Sequence, residues 1–436
     1  MTFWGTRGSI AKAGPTTVRY GGNTSCLSVR SDDGTIVVID CGTGAHGLGQ
    51  HLLAEAGDER LGGHILVSHT HWDHIQGLPF FSPLFRPGSE WDIYGPKGMV
   101  SSLSEILAGQ MDYSYFPISV EHLEAKIRYH DLVEGAFEVG GVRVESHYLN
   151  HPALTLGYRL EVDGATVVYA SDHEPHDHVL AQGGDMAANR YDSAHADFIS
   201  GADLLIHDAQ YLAEEYPERA GWGHSTVEYV IDIAATANVG TVALFHHDPT
   251  RTDELMDELV DTARAYAVEI GFGGGVVPAC EGDTIELRGE PGVASARWAS
   301  LPPAVSMAEV GTRSAVVFAE TEKIASVIGE EARAEGLDVT VETDLQATFQ
   351  AVRSMRPGII VVEAVEDDGG FNLVEAIRDL PAPYGPEVPI ILVGRTHARW
   401  RPDATETGIT EWIVWPAKGF FIRTKMRAWL MRRAER

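Results

Sequence analysis

The sequence predicts an α/β protein, a layered sheet-and-helix unit followed by a smaller doubly wound parallel-sheet unit. Three observations carry this. Short apolar runs between Gly-rich turns fill the first part of the 436-residue chain. Residues 289–312 (GEPGVASARWASLPPAVSMAEVGT) have little periodicity and several Pro and Gly, which reads as a linker. Beyond it, apolar runs and helical patterns alternate regularly, as in a parallel sheet with crossover helices. A chain this long exceeds one ordinary core, so units at 1–288 and 313–436 are expected.

Taken in order, Thr35–Asp40 (TIVVID), His64–Ser68, Val142–Ser146, Leu156–Val162 and Thr166–Ala170 (TVVYA) read as strands. Helices are expected over about 226–238, capped by Ser225 or Thr226, and over about 253–269. In the second unit Ala315–Phe318, Asp338–Val341, Ile359–Val362, Pro389–Val393 and Trp412–Val414 are the apolar runs. Helices over about 323–335 and 345–354 separate the first three.

Hydrophobic residues make up 44% and charged residues 22%, ordinary for a globular protein. The formal charge of −30 repels phosphates unless basic residues cluster, so no nucleic-acid partner is expected. Cys26, Cys41 and Cys280 form neither a disulfide framework nor a CxxC knuckle. The N-terminus (MTFWGTRGSI) lacks a signal-peptide layout, and no apolar run approaches the roughly 20 residues of a membrane span. A cytoplasmic protein with no membrane partner is expected.

The strongest chemical signal is Ser68–His74 (SHTHWDH). It places His69, His71, Asp73 and His74 directly after an apolar run. Imidazole and carboxylate without thiolate suit zinc and related divalent metals at a catalytic site. A regular helix would align His69 with Asp73 and turn His71 away, so a loop leaving a strand is expected.

HTHWDH resembles the HxHxDH signature of the metallo-β-lactamase superfamily. Asp40-Cys41-Gly42-Thr43-Gly44 resembles its DxGxG turn, His151 (LNHPALTLGYRL) its third-motif histidine, Asp172 (VVYASDHE) its bridging carboxylate, and His246 (ALFHHDP) its last histidine. The resemblance covers residues 1 to about 288 and implies an αββα sandwich hydrolase with two divalent metal ions per chain, zinc first, manganese or iron otherwise. It gives one ion to His69, His71 and His151, the other to Asp73, His74 and His246, with Asp172 bridging and a shared hydroxide as nucleophile. Asp73 would also orient or deprotonate that water. Asp208 (LLIHDAQY) resembles a family acid that supports a histidine. His246 and the adjacent His247 are not separable by sequence alone. His246 is preferred because it directly follows a strand's apolar end.

Gly223-His224-Ser225-Thr226 is similar to the GHST segment of the ribonuclease Z-like phosphodiesterase branch, which implies that His224 protonates the leaving oxygen. GTRGSI and RYGGNTSC look like the small-molecule and cyclic phosphodiesterases of that branch, and Gly22-Asn23-Thr24 is expected as a turn under the site. Ribonuclease Z itself carries a long arm between the third-motif histidine and the bridging aspartate. Here little more than two strands separate His151 from Asp172. With the net charge, this leads to the expectation of a small or cyclic phosphodiester substrate and no transfer RNA. A lactone or thioester hydrolase and a non-catalytic signalling scaffold are the alternatives. Asp172–His178 (DHEPHDH) is expected as a solvated acidic loop with one ligand, Asp172. Trp72, Phe80, Phe81 and Trp222 serve either as a pocket wall or as core.

Residues 313–436 resemble a response-regulator receiver in rhythm, with its functional positions changed. The acidic pair aligns with Ala319-Glu320, the phosphoacceptor with Glu363, the hydroxyl residue with Gly394 and the lysine with Trp415. This implies a pseudo-receiver that dimerises, binds a protein partner or packs. Lys425, Arg427, Arg432, Arg433 and Arg436 are expected as a solvated helix face.

Overall fold

The computed structural model describes residues 1–96, 101–184, 190–287, 301, 304, 313–364, 369–381, 384–394, 408–417 and 419–433. They form two compact units, Met1–Ser306 and Met307–Arg436. Apart from Leu301 and Ala304, the expected linker lies outside the described residues. Ala304 is buried and exchanges backbone hydrogen bonds with Val133 and Ala136 of the first unit.

The first unit holds two sheets. One has β1 (Thr2–Gly5), β2 (Cys26–Arg30), β3 (Ile36–Ile39), β4 (Gly62–Leu66), β5 (Glu90–Pro96) and β6 (Lys126–Leu132) in sequence order. The other has β7 (Gly135–Val139), β8 (Val142–Tyr148), β9 (Leu156–Val162), β10 (Ala165–Ala170), β11 (Leu204–Asp208), β12 (Thr241–Phe245) and β13 (Gly275–Pro278), also in order across the sheet. Strand residues alternate faces, so a strand buried throughout feeds two cores. In β3, Val37 and Ile39 join the cluster between the sheets while Ile36 and Val38 join an outer one. In β10, Val167 and Tyr169 point between the sheets, and Val168 and Ala170 point outward.

Helices cover the outer faces. α1 (Ala45–Ala56) supplies Ala45, Leu48 and Leu52 to the core behind the first sheet, alongside α2 (Trp72–Ile75) and α3 (Leu103–Gln110). α4 (Arg190–Ile199), α5 (Val227–Thr236) and α6 (Asp253–Ile270) cover the second. The result is four layers, α/β/β/α. Thr226 caps α5 by accepting from the Tyr229 amide at 3.3 Å, and Thr252 caps α6. α1 was not expected. Its two glycines lower helix propensity, yet Gly49 stands where a side chain would crowd Pro83 and Ser82 at 3.0 Å.

The second unit comprises β14 (Ser314–Phe318), α7 (Glu322–Ala334), β15 (Asp338–Glu342), α8 (Leu345–Met355), β16 (Ile359–Glu363), α9 (Gly369–Arg378), α10 (Tyr384–Glu387), β17 (Ile390–Gly394), β18 (Glu411–Val414) and α11 (Gly419–Arg433). Its parallel sheet runs β15-β14-β16-β17-β18, the doubly wound order of flavodoxin-like folds. Of the expected solvated basic face, Lys425 departs among the described residues. Lys425 is buried and lies 3.5 Å from Glu411, which also accepts from the Trp429 indole, while Arg427 pairs with Glu335. The side chains of Arg432, Arg433 and Arg436 lie outside the described residues.

Glu363, at the end of β16, is buried and accepts from the Thr321 amide at 2.9 Å and from the Thr321 hydroxyl. Gly394 has no room for a hydroxyl side chain, because a Cβ there would meet the Trp412 indole at 2.8 Å. Trp415 is itself buried. A carboxylate already satisfied by Thr321, with no lysine paired to it among the described residues, is a poor phosphate acceptor. Incubation with acetyl phosphate and Mg²⁺ should therefore leave the intact mass of the full chain unchanged. A hydroxylamine-sensitive gain of one phosphoryl group on this unit would overturn that expectation.

Among the described residues, no helix is long and apolar enough to cross a membrane.

Candidate metal centre

The candidate ligands sit at the carboxyl ends of strands, where open α/β sheets place their sites. His69, His71, Asp73 and His74 follow β4, His151 lies between β8 and β9, Asp172 follows β10 and His246 follows β12. Three residues at these ends take left-handed φ: Asp40 at 58°, Asp172 at 59° and His246 at 58°. Such angles cost energy in a non-glycine residue and gather where side chains must be aimed rather than relaxed.

Three overlapping groups of ligand atoms result among the described residues, each within 4.8 Å: His69, His71, His151 and Asp172; Asp73, His74 and His246; and Asp172, His224 and His246. Asp172 joins them. Its Oδ2 lies 3.7 Å from His69 Nε2 and 3.6 Å from His151 Nε2. Its Oδ1 lies 3.1 Å from His74 Nε2 and 3.3 Å from His246 Nε2. His246 Nε2 is also 3.2 Å from Asp73 Oδ2. His247 turns away, with its Nε2 2.8 Å from the Ala279 carbonyl.

This donor set fits divalent metal ions. The Nε2 atom of His69 is buried without a hydrogen-bond partner, an arrangement that costs energy unless a cation takes the lone pair. Burial pushes His69 and His151 well below the usual imidazole range, keeping them in the neutral form that coordinates. Burial alone would raise Asp172, but His246, His74 and His69 outweigh it and hold the carboxyl well below the usual range. For His74, burial is outweighed by Asp172, Asp73 and Asp40, which push it up, so an ion held there would have to displace a proton.

Outer partners fix the ring orientations. His74 Nδ1 lies 2.7 Å from Asp40 Oδ2, and Asp40 is itself held by the Ser68 amide, the Ser68 hydroxyl and the Tyr169 hydroxyl. His151 Nδ1 donates to the Gly223 carbonyl at 2.9 Å. The Gln210 amide group lies 3.3 Å from His246 Nδ1. His224 Nδ1 lies 2.6 Å from Asp208 Oδ2. Burial lowers His224, but that carboxylate more than offsets it and carries the imidazole to about 9.

Three features escaped the sequence reading. Ser9, at φ 63°, donates its amide to Asp73 Oδ2 at 2.7 Å. Gly8 beside it leaves room for the His246 ring, which a Cβ would meet at 2.6 Å. GTRGSI is therefore one wall of the site. The third is Glu174. The expected solvated loop is buried at Asp172, His173 and Glu174. Glu174 accepts from Gly221 N at 2.6 Å, Gly223 N at 2.8 Å and the Tyr216 hydroxyl at 2.6 Å, and so anchors the segment carrying His224. A carboxylate aimed at backbone amides leaves no periodic signal, which is why composition suggested a surface loop. At Gly22-Asn23-Thr24, Asn23 O accepts from the Thr6 and Arg7 amides, and Thr24 pairs with Thr43. Phe81 is core, while Trp72, Phe80 and Trp222 are exposed.

Residues 35–247 match the Beta-lactamase superfamily domain. Among curated relatives, ribonuclease Z of Haloarcula marismortui is 28% identical over 317 residues, covering 61% of this chain and 90% of that protein. Ribonuclease Z of Lactococcus lactis subsp. cremoris is 28% identical over 285 residues, covering 56% and 89%. Among solved structures, the metallo-beta-lactamase fold protein YhfI from Bacillus subtilis aligns at 20% identity with a TM-score of 0.46, covering 65% of this chain and 96% of that one.

The relatives correct one expectation. A small-molecule substrate with nucleic acid excluded conflicts with relatives that are ribonucleases along most of their length. Net charge is a sum over the whole chain and does not describe the mouth of one site. Residues 35–247 match the Beta-lactamase superfamily domain, and the N-terminal unit is a metal-dependent hydrolase with the metallo-β-lactamase fold.

Proposed function

We propose that the N-terminal unit is a phosphodiesterase that cleaves RNA with two divalent ions, zinc in the native protein, in the cytoplasm. The observation that carries this is Asp172, whose two oxygens face two separate histidine groups. His69, His71 and His151 would hold one ion and Asp73, His74 and His246 the other. Two cations there lower the pKa of a water and offset the charge of a phosphate. The chain's own residues do the rest. Ser9 and His246 orient Asp73. Asp208 accepts the Nδ1 proton of His224, leaving Nε2 to give its proton to the leaving oxygen. At about 9, His224 carries that proton at neutral pH. A thiolate leaves without such help, so a dedicated acid favours phosphodiesters over thioesters. The three cysteines are free, in keeping with a reducing compartment.

The test is metal removal. Protein as purified should hold about two equivalents of divalent metal. Chelation should abolish hydrolysis of both bis(p-nitrophenyl) phosphate and an unstructured oligoribonucleotide, and Zn²⁺ should restore both. Full activity in metal-free protein, or activity confined to lactones and thioesters, would refute the reading.

A further inference from the structure

Beside His224 the site carries a cation and two rings that the metal centre does not use. The Arg219 guanidinium lies 4.9 Å from the Tyr211 ring centre and 5.8 Å from that of Trp222. Tyr211 is buried and meets the His224 ring edge-on at 6.1 Å, which places Arg219 within one aromatic ring of the proposed acid. Arg219 reaches Asp248 at 3.4 Å, beyond the usual length of a strong charge-assisted bond. Its side chain remains 32% exposed. The guanidinium places a positive charge one ring away from the proposed acid, with the Asp248 carboxylate as its ion-pair partner.

Trp222 is 60% exposed, and single exposed aromatics are common. What distinguishes this one is its mounting. The Trp222 amide donates to the Arg219 carbonyl at 3.0 Å, and the glycines on either side both donate to buried Glu174. An indole held by a fixed backbone loses little freedom when a ring settles on it. A π-face next to a guanidinium, both beside the site of bond cleavage, matches one nucleotide of a single strand: a base to stack and a phosphate to pair.

We propose that Trp222 and Arg219 form a nucleotide clamp, Trp222 stacking a base next to the cleaved bond and Arg219 holding a flanking phosphate. The clamp rests on the reading of an RNA substrate, and it makes stacking a principal source of affinity for an acidic protein.

The test is binding of a short, 5′-fluorescein-labelled phosphorothioate oligouridylate to the metal-loaded full chain. Trp222→Ala should weaken binding about 5- to 150-fold, the range for losing one stacked base, and Trp222→Phe should recover most of it. Arg219→Ala should make the slope of log affinity against log salt about 0.7 shallower, the share of one phosphate on a single strand. Variants that bind within twofold of wild type with an unchanged salt slope would overturn the clamp. Wild-type protein that hydrolyses bis(p-nitrophenyl) phosphate yet does not bind the oligonucleotide would overturn it too, and would leave phosphodiester hydrolysis standing. Trp222-dependent binding without hydrolysis of any phosphodiester would support the clamp and sink the enzymatic reading instead.

Discussion

Asp172→Asn should give a folded protein that has lost at least one equivalent of metal and more than about 100-fold in phosphodiester hydrolysis. Asparagine is the informative replacement. It keeps the size of a buried side chain and tolerates the left-handed φ of 59°, whereas Asp172→Ala adds backbone strain and a cavity. What it removes is the charge between the two histidine groups. Changing an outer partner of a metal ligand typically costs about 10- to 100-fold in affinity or activity. A side chain that faces both groups directly should cost more. Metal content separates this from a folding defect, because a structural role alone would not lower the metal-to-protein ratio of the soluble fraction. Two full equivalents in a soluble Asp172→Asn variant would show that Asp172 does not bridge.

The parts of this fold legible in sequence are those whose residues announce their own periodicity. β3 and β10 are buried on both faces and read as almost continuous apolar runs, while β9 is recognisable despite Arg159 and Glu161. In the second unit β14, β16 and β17 are buried throughout and read the same way, and alternation with helices pointed to a doubly wound sheet. α1 did not, because Gly47 and Gly49 interrupt a stripe that exists to bring backbone close to Pro83. The metal centre followed the same division. His69, His71, Asp73 and His74 stand together in sequence, so one loop brings them together. Asp172, His151 and His246 come from separate strand ends, and only the family resemblance linked them. Ser9 and Glu174 act through backbone amides, a bond that any residue type can supply, so no sequence pattern marked them. The largest misreading concerned the substrate. Net charge sums over the whole chain and says nothing about the mouth of one site, and it is the ribonuclease Z relatives that conflict with a small-molecule substrate.

His224→Ala should retain metal and lose about 10²- to 10⁴-fold in rate on substrates with an alkoxide leaving group. The loss should be much smaller for a nitrophenolate, which departs without a proton. That contrast isolates acid catalysis from positioning, since a misplaced substrate would slow both. The pH profile gives a second, independent reading. Asp208, 2.6 Å from His224 Nδ1, offsets the effect of burial and carries the imidazole up to about 9. The acid must be protonated to act, so kcat on the alkoxide substrate should fall as pH rises through the pKa of His224. Asp208→Asn removes the charge that raises that pKa, and the alkaline limb should move to lower pH while activity on the acid side is better preserved. His224→Ala should abolish the limb altogether. Equal losses on alkoxide and nitrophenolate substrates, with an alkaline limb that survives in His224→Ala, would show that the proton comes from elsewhere and that the Asp208–His224 pair only shapes the wall of the site.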